Sequence, residues 1–179
     1  MGKISPTKVN DSGFTRMLER MGEDCGALQF VREFFVNSKE AIERTGKKGT
    51  VIVDVDWSLY DLCGTYKLSF TDNGEGMTGD EMQDFLNQLS SSGQKKNQYV
   101  NYGMGAKISA MTRNPNGLWY KSWKDGEGAM INLIYDENED KDGLEQCEEN
   151  GNFSYHQSIN NDEIKPEIIK DHGTQVTLM

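Results

Sequence analysis

The sequence predicts an α+β fold, a two-layer α/β sandwich with helices on one face of a mixed, mostly antiparallel sheet. Three observations predict the layers. Residues 26–45 carry a helical apolar period, and two alternating strand-like segments follow them. Thr78 and Glu81, three residues apart, mark the start of a second helix. The C-terminal half then runs through four more strand-like segments separated by polar turns.

The elements follow in order. Residues 1–25 are polar, with some helical character around 14–21, and form an N-terminal extension to a domain spanning 26–179. At about 100° per residue, Phe30, Val31, Phe34, Phe35, Ser38, Ala41 and Ile42 share one broad face of the first helix. Gly46-Lys47-Lys48-Gly49 stops it. "TVIVDVDW" and "YKLSFTD" alternate as half-buried strands. Met82, Phe85, Leu86 and Leu89 give the second helix its apolar stripe. "SSSGQKKNQYVNYG" is polar and reads as a loop, and "AKISAMT" as a short helix. "GLWYKSW", "GAMINLIY", "NFSYHQSI" and "TQVTLM" supply the remaining strands.

Composition narrows the function classes. A chain of 179 residues is one domain of ordinary size, and 35% apolar content is modest but enough for a core. A net charge of −10 argues against a standing nucleic-acid or membrane surface. The stretch from Asp136 to Glu149 holds eight acids and one Lys, so −7 of that charge is local to a loop spanning 136–151. A pocket elsewhere need not repel an anion. Cys25, Cys63 and Cys147 are widely spaced and odd in number, which reads as free thiols in a reducing, cytoplasmic setting. The N-terminus has no apolar leader, and no segment approaches a membrane span.

Residues 138–149 nearly fit a calcium-loop template, with Asn138, Asp140, Asp142, Gly143 and Glu149 in the ligand and turn positions. Yet Asn replaces the usual first Asp, Glu145 takes an ordinarily apolar position, and the flanks look like strands. The reading is an acidic, solvated hairpin loop.

Two stretches carry candidate chemistry. Glu33 and Asn37 lie four residues apart on the first helix, and Glu40 and Arg44 continue the stripe along the border of the apolar face. Asn offers a neutral oxygen to a divalent ion, and Glu can orient or deprotonate a water. The same spacing also fits a solvated face with a Glu40–Arg44 pair. The second stretch is "TDNGEGMTG", which sets carboxylates and an Asn among glycines directly after a strand. It could be a strand-to-helix turn in which Gly74 and Gly76 take positive φ. Gly74, Gly76 and Gly79 also satisfy a dinucleotide GxGxxG pattern, but the acid expected about 20 residues on is missing from "SSGQKKNQYV".

The third reading takes several motifs together. "REFFVNSKEA", "TDNGEGMT", "NYGMGAKISAM" and "HGTQVTLM" occur in that order, and together they resemble the GHKL ATPase superfamily. That superfamily includes DNA gyrase B subunits, ninety-kilodalton heat-shock chaperones, MutL, histidine kinases and the MORC ATPases. "LSFTDNGEGMT" and "YGMGAKISAM" are most similar to the MORC group, and "SSGQ" looks like the chaperone lid. The resemblance covers residues 26–179 and implies the Bergerat-type ATP-binding sandwich.

It also implies a role for each matched residue. Asp72 would accept the adenine N6 hydrogen bond. Gly74 and Gly76 would let the backbone approach the ring, Met77 would pack on the base, and Thr174 would help bind adenine through water. Asn37 would coordinate Mg²⁺ on the phosphates. Gly103, Gly105 and Ala106 would meet those phosphates with backbone amides, and Lys107 would add a charge unless it is an ordinary surface Lys. Glu33 would polarise the attacking water. In histidine kinases this position is usually Asn, so Glu33 fits hydrolysis better than phosphotransfer. There is no Walker-type GxxxxGK[ST] sequence.

Residues 79–101 would form a lid whose closure over ATP couples to homodimerisation. In several members a following domain supplies a Lys, Arg or Gln to the γ-phosphate, and this sequence ends at Met179 directly after the Gly-Thr strand. Such a contact would come from a further domain or a partner. The expected activity is Mg-dependent ATP binding with slow hydrolysis. The alternatives are a nucleotide-gated interaction module with negligible turnover and a kinase-like phosphotransfer domain.

Overall fold

The computed structural model describes residues 26, 28–88, 109–136, 141–149, 151–159 and 164–179. Helix α1 (Gln29–Arg44) leads into strand β1 (Val51–Val55), a short helix α2 (Trp57–Cys63), strand β2 (Leu68–Asp72) and helix α3 (Gly79–Gln88). Strands β3 (Leu118–Lys124), β4 (Glu127–Asp136), β5 (Lys141–Leu144), β6 (Cys147–Glu149), β7 (Asn152–Ser154), β8 (Gln157–Ser158) and β9 (Gly173–Leu178) follow.

The main sheet runs β1-β2-β9-β3-β4-β5, with β8 also paired to β4, while β6 and β7 form a separate hairpin. Every pairing among the described residues is antiparallel. The C-terminal strand β9 inserts between β2 and β3, and this crossover builds the site. Its register sets Thr174 beside Asp72 on one side and beside Ser122 on the other. The next row on the same face is Phe70, Val176 and Tyr120.

Because side chains alternate along a strand, that face is apolar below its polar row. Phe34 of α1 packs on Phe70 with ring centroids 5.0 Å apart. Met82 and Leu86 of α3 join the same core with Leu118, Ile131 and Leu133. Burying each such side chain contributes roughly 1.5–3 kcal/mol. The predicted stripe of α3 therefore faces the sheet, and its capping box is made: the Thr78 amide donates to Glu81 Oε2 at 2.9 Å and the Glu81 amide to Thr78 Oγ1 at 3.3 Å.

The opposite face carries a polar chain. Lys121 Nζ donates to Asp56 Oδ2 at 2.8 Å and to Gln175 Oε1 at 3.2 Å, and Gln175 Nε2 donates to Thr71 Oγ1 at 3.2 Å. Asp56 is also the N-cap of α2, accepting from the Leu59 amide at 3.1 Å.

Several expectations are corrected. "TVIVDVDW" is a strand only to Val55; Asp56 ends it and caps a helix that alternation alone did not suggest. Two turns closed by Gly64 at φ 70 are too short to show a clear period. "NFSYHQSI" splits into β7 and β8. The acidic segment read as a loop contains β5, paired to β4, and β6. Asp142 lies in β5 and Glu149 in β6, while Asn138 and Asp140 lie outside the described residues. Phe35, placed on the buried face of α1, is 50% exposed. Leu89 and the segment "SSSGQKKNQYVNYG" lie outside the described residues, and of "AKISAMT" residues 109–111 are helical. No helix among the described residues is long and apolar enough to cross a membrane.

Candidate functional site

A cavity of about 330 Å³ opens between α1, the loop after β2 and the polar row of the sheet. Its walls include Asn37, Asp72, Gly76, Met77, Tyr120 and Thr174. Phe34, Phe70 and Val176 make one side apolar, which suits a flat ring.

Asp72 sits at the end of β2 and is 4% exposed. Burial pushes its carboxyl up to about 6, against the opposing pull of the Gly74 amide, the Ser38 hydroxyl, the Thr174 amide and the Arg44 charge. The Gly74 amide donates to Asp72 Oδ1 at 2.8 Å.

The glycines are required by close approach. A Cβ on Gly76 would stand 2.1 Å from the Trp123 carbonyl oxygen, and the residue has φ 64. A Cβ on Gly74 would lie 2.6 Å from Ala41 Cβ. Gly74 does not take the positive φ expected of it, so packing against α1, not backbone handedness, is what demands a glycine there. The Glu75 amide donates to the Ala41 carbonyl at 3.1 Å, which pins the loop to the end of α1. Asn73 serves the turn: its Oδ1 accepts from the Thr50 amide at 2.7 Å.

Ser122 completes the row and was not foreseen from sequence. Its Oγ accepts from the Met77 amide at 2.8 Å, donates to the Gly173 carbonyl at 3.1 Å, and lies 3.0 Å from Thr174 Oγ1. One hydroxyl has one proton. With that proton on Gly173, Thr174 must donate to Ser122, which leaves the lone pairs of Thr174 Oγ1 as acceptors. The one Ser within the strand "LWYKSWK" is the only sequence signal for it.

Glu33 lies one turn before Asn37 on α1, outside the walls of the cavity. Gln29 Nε2 donates to its Oε1 at 2.6 Å and Arg32 Nη1 to the same oxygen at 3.0 Å. Arg44 pairs with Glu75 across the loop, where a Glu40–Arg44 pair along the helix had been one reading of the sequence. Lys124 pairs with Glu81 at 2.8 Å and so ties β3 to α3 at the cavity rim. Gly103, Gly105, Ala106 and Lys107 lie outside the described residues.

This arrangement sets a buried carboxylate behind a glycine bend, with an apolar slot beside it, on an antiparallel α/β sandwich. Residues 28–168 match the family model of histidine kinase-, DNA gyrase B- and HSP90-like ATPases, and the chain belongs to that family. No curated protein matches the chain closely enough to count as a relative.

Proposed function

We propose that the chain binds Mg·ATP in the cavity around Asp72 and hydrolyses it slowly. The observation that carries this reading is the row Asp72, Thr174 and Ser122 at the head of an apolar slot. A buried carboxylate accepts an exocyclic amine and repels the carbonyl that guanine presents there, so the row reads adenine. Thr174 Oγ1 offers a second acceptor, Met77 covers one side of the ring, and Gly74 and Gly76 keep the loop thin.

Family membership supports the rest. Asn37 lines the same cavity and is the residue that would hold Mg²⁺, whose charge neutralises the phosphates. Glu33, one turn away, orients a water for attack on the γ-phosphate. Both of its hydrogen bonds among the described residues fall on Oε1, which leaves Oε2 for that water. Gly103, Gly105, Ala106 and Lys107 complete the phosphate end on the strength of the motif "NYGMGAKISAM". That motif and "LSFTDNGEGMT" favour the MORC-like branch. The lid expected over 79–101 begins with α3, which is anchored in the core by Met82 and Leu86, so closure would fall to the sequence beyond Gln88 and would promote pairing of two copies.

Glu33→Ala tests the reading. It should abolish phosphate release and leave ATP binding within about threefold of wild type. Unchanged turnover would overturn the role of Glu33. Tight ATP binding by a wild-type chain without turnover would favour a nucleotide-gated interaction module.

A further inference from the structure

A second cavity, about 670 Å³, lies on the other side of the glycine bend. It meets the first across Glu75 and Lys124, which line both. Its wall carries Lys47, Lys165, Lys170 and His172, an unusual concentration of cations in a chain of net charge −10. Glu75 and Asp125 also line it, together with Asp171. Glu75 is neutralised by Arg44, and Lys124 by Glu81. That leaves three lysines facing two carboxylates. Lys47 and Lys170 have no anionic partner for their ammonium groups among the described residues.

His172 joins this cavity to the first one. Its Nδ1 donates to the carbonyl of Gly74, so Nε2 is the ring nitrogen left for a ligand, and it donates to an oxyanion with the ring protonated. The amide of the same Gly74 donates to Asp72 Oδ1 at 2.8 Å. Two hydrogen bonds therefore separate the second cavity from the carboxylate that reads adenine. The loop between them is thin, because any side chain at Gly74 or Gly76 would clash.

We propose that the second cavity binds a small multivalent oxyanion, held by Lys47, Lys170 and His172, and that its occupancy is passed through Gly74 to Asp72. The ligand class follows from the donors: two unpaired ammonium groups and an imidazolium on one concave wall match a compact polyphosphate or polycarboxylate. A large apolar molecule would leave those charges without partners. The consequence for adenine rests on the nucleotide reading; the site itself does not.

The test follows the imidazole signals of the protein, which has only His156 and His172, while inorganic pyrophosphate or citrate is added without nucleotide or metal. Saturable movement of the His172 and Gly74 signals, with His156 unmoved, is expected. The double variant Lys47→Ala, Lys170→Ala should weaken it at least tenfold. Preference for pyrophosphate identifies a phosphate ligand, and preference for citrate a carboxylate one. No saturable movement, or movement indifferent to the two lysines, overturns the site. Adenosine, which has no phosphate to compete, should change affinity at least threefold when the anion saturates; an unchanged affinity overturns the coupling. If adenosine and ATP fail to bind but the lysine-dependent shift remains, the nucleotide reading fails and the anion site stands.

Discussion

Lys121 Nζ lies 2.8 Å from Asp56 Oδ2, and both side chains are buried on the sheet face that turns away from the Asp72 cavity. Burial alone would raise the Asp56 carboxyl. Hydrogen bonds from Lys121, Ser58 and Thr177, with the Lys121 charge, outweigh it and hold the group down to about 2. The pair locks α2 to β3 and β9 without touching the Asp72 cavity.

Removing one partner should therefore unsettle the fold and spare the pocket's chemistry. Lys121→Met leaves a buried carboxylate without its cation, and the expected loss is about 3–5 kcal/mol at pH 7. Asp56 has a folded value below its unfolded one, so it contributes stability above about pH 4 that is lost as pH falls toward 2. Urea unfolding of wild type at pH 4 and pH 2.5 should show that loss. In Lys121→Met the trend should reverse, because protonation then relieves an unpaired charge. A loss under about 1 kcal/mol at pH 7 would show that the pair is not what holds α2 in place.

Asp72 behaves in the opposite sense. Its carboxyl is raised from 3.8 to about 6, so the folded state holds a proton that the unfolded state has released. Stability falls as pH rises between those values, and above them a cost of about 3 kcal/mol persists. Asp72→Asn should raise stability at pH 7.5 by about 1–3 kcal/mol, with little change at pH 4. The same variant should weaken ATP binding by at least about tenfold, or 1.4 kcal/mol. In wild type, affinity for adenosine should drop as pH falls through 6, because a protonated carboxyl accepts less well. Calorimetry at pH 5, 6 and 7.5 reads this directly, and a flat profile would remove Asp72 from adenine recognition.

Gly76→Ala tests the bend. The new methyl would meet the Trp123 carbonyl oxygen at 2.1 Å, and an Ala at φ 64 is strained even without that clash. A backbone oxygen held in the β3–β4 hairpin cannot step aside as a flexible side chain could. The expected loss is more than about 2 kcal/mol in urea unfolding, with binding lost as the loop moves. Gly46→Ala is the control: it also has positive φ, but nothing lies within 4 Å of its Cβ. Its cost should be confined to about 1 kcal/mol. Equal losses in the two variants would mean that handedness, not close approach, governs Gly76.

The parts legible in sequence are those with a local signature. The Thr78–Glu81 box and the apolar stripe Met82-Phe85-Leu86 each depend on neighbours a few residues away, and each appears in the fold; "YKLSFTD" yields the strand β2, but buried on both faces and not half-buried. The placement of Asn37, Asp72, Gly76, Met77 and Thr174 around one cavity was legible only because motif order stood in for topology. What sequence could not reveal depends on register. Ser122 reaches Thr174 only because β9 inserts between β2 and β3, and no local period encodes that crossover. Arg44 finds Glu75, 31 residues away, because the loop after β2 returns to the end of α1. The helix α2 escaped because two turns carry less period than the Asp56 cap and Gly64 stop that define it.

Ser122→Ala isolates the contribution of that crossover to binding. The hydroxyl sits at the junction of two strands and a loop, accepting from Met77 and Thr174 and donating to Gly173. Its removal leaves the Met77 amide without its acceptor and frees the Thr174 proton. Thr174 can then turn its hydroxyl toward the cavity as a donor, which opposes an adenine amine where a lone pair had welcomed it. The expected stability loss is about 1–2 kcal/mol, from one fully buried hydroxyl and one stranded amide. The expected fall in ATP affinity is about three- to tenfold, larger than a stability change of that size would cause in a chain still fully folded. Ser122→Thr keeps the hydroxyl and separates the two effects: if it binds ATP as weakly as Ser122→Ala, the loss comes from packing and the proton order assigned to Thr174 is wrong. Calorimetric titration with ATP, paired with urea unfolding of each variant, gives both quantities.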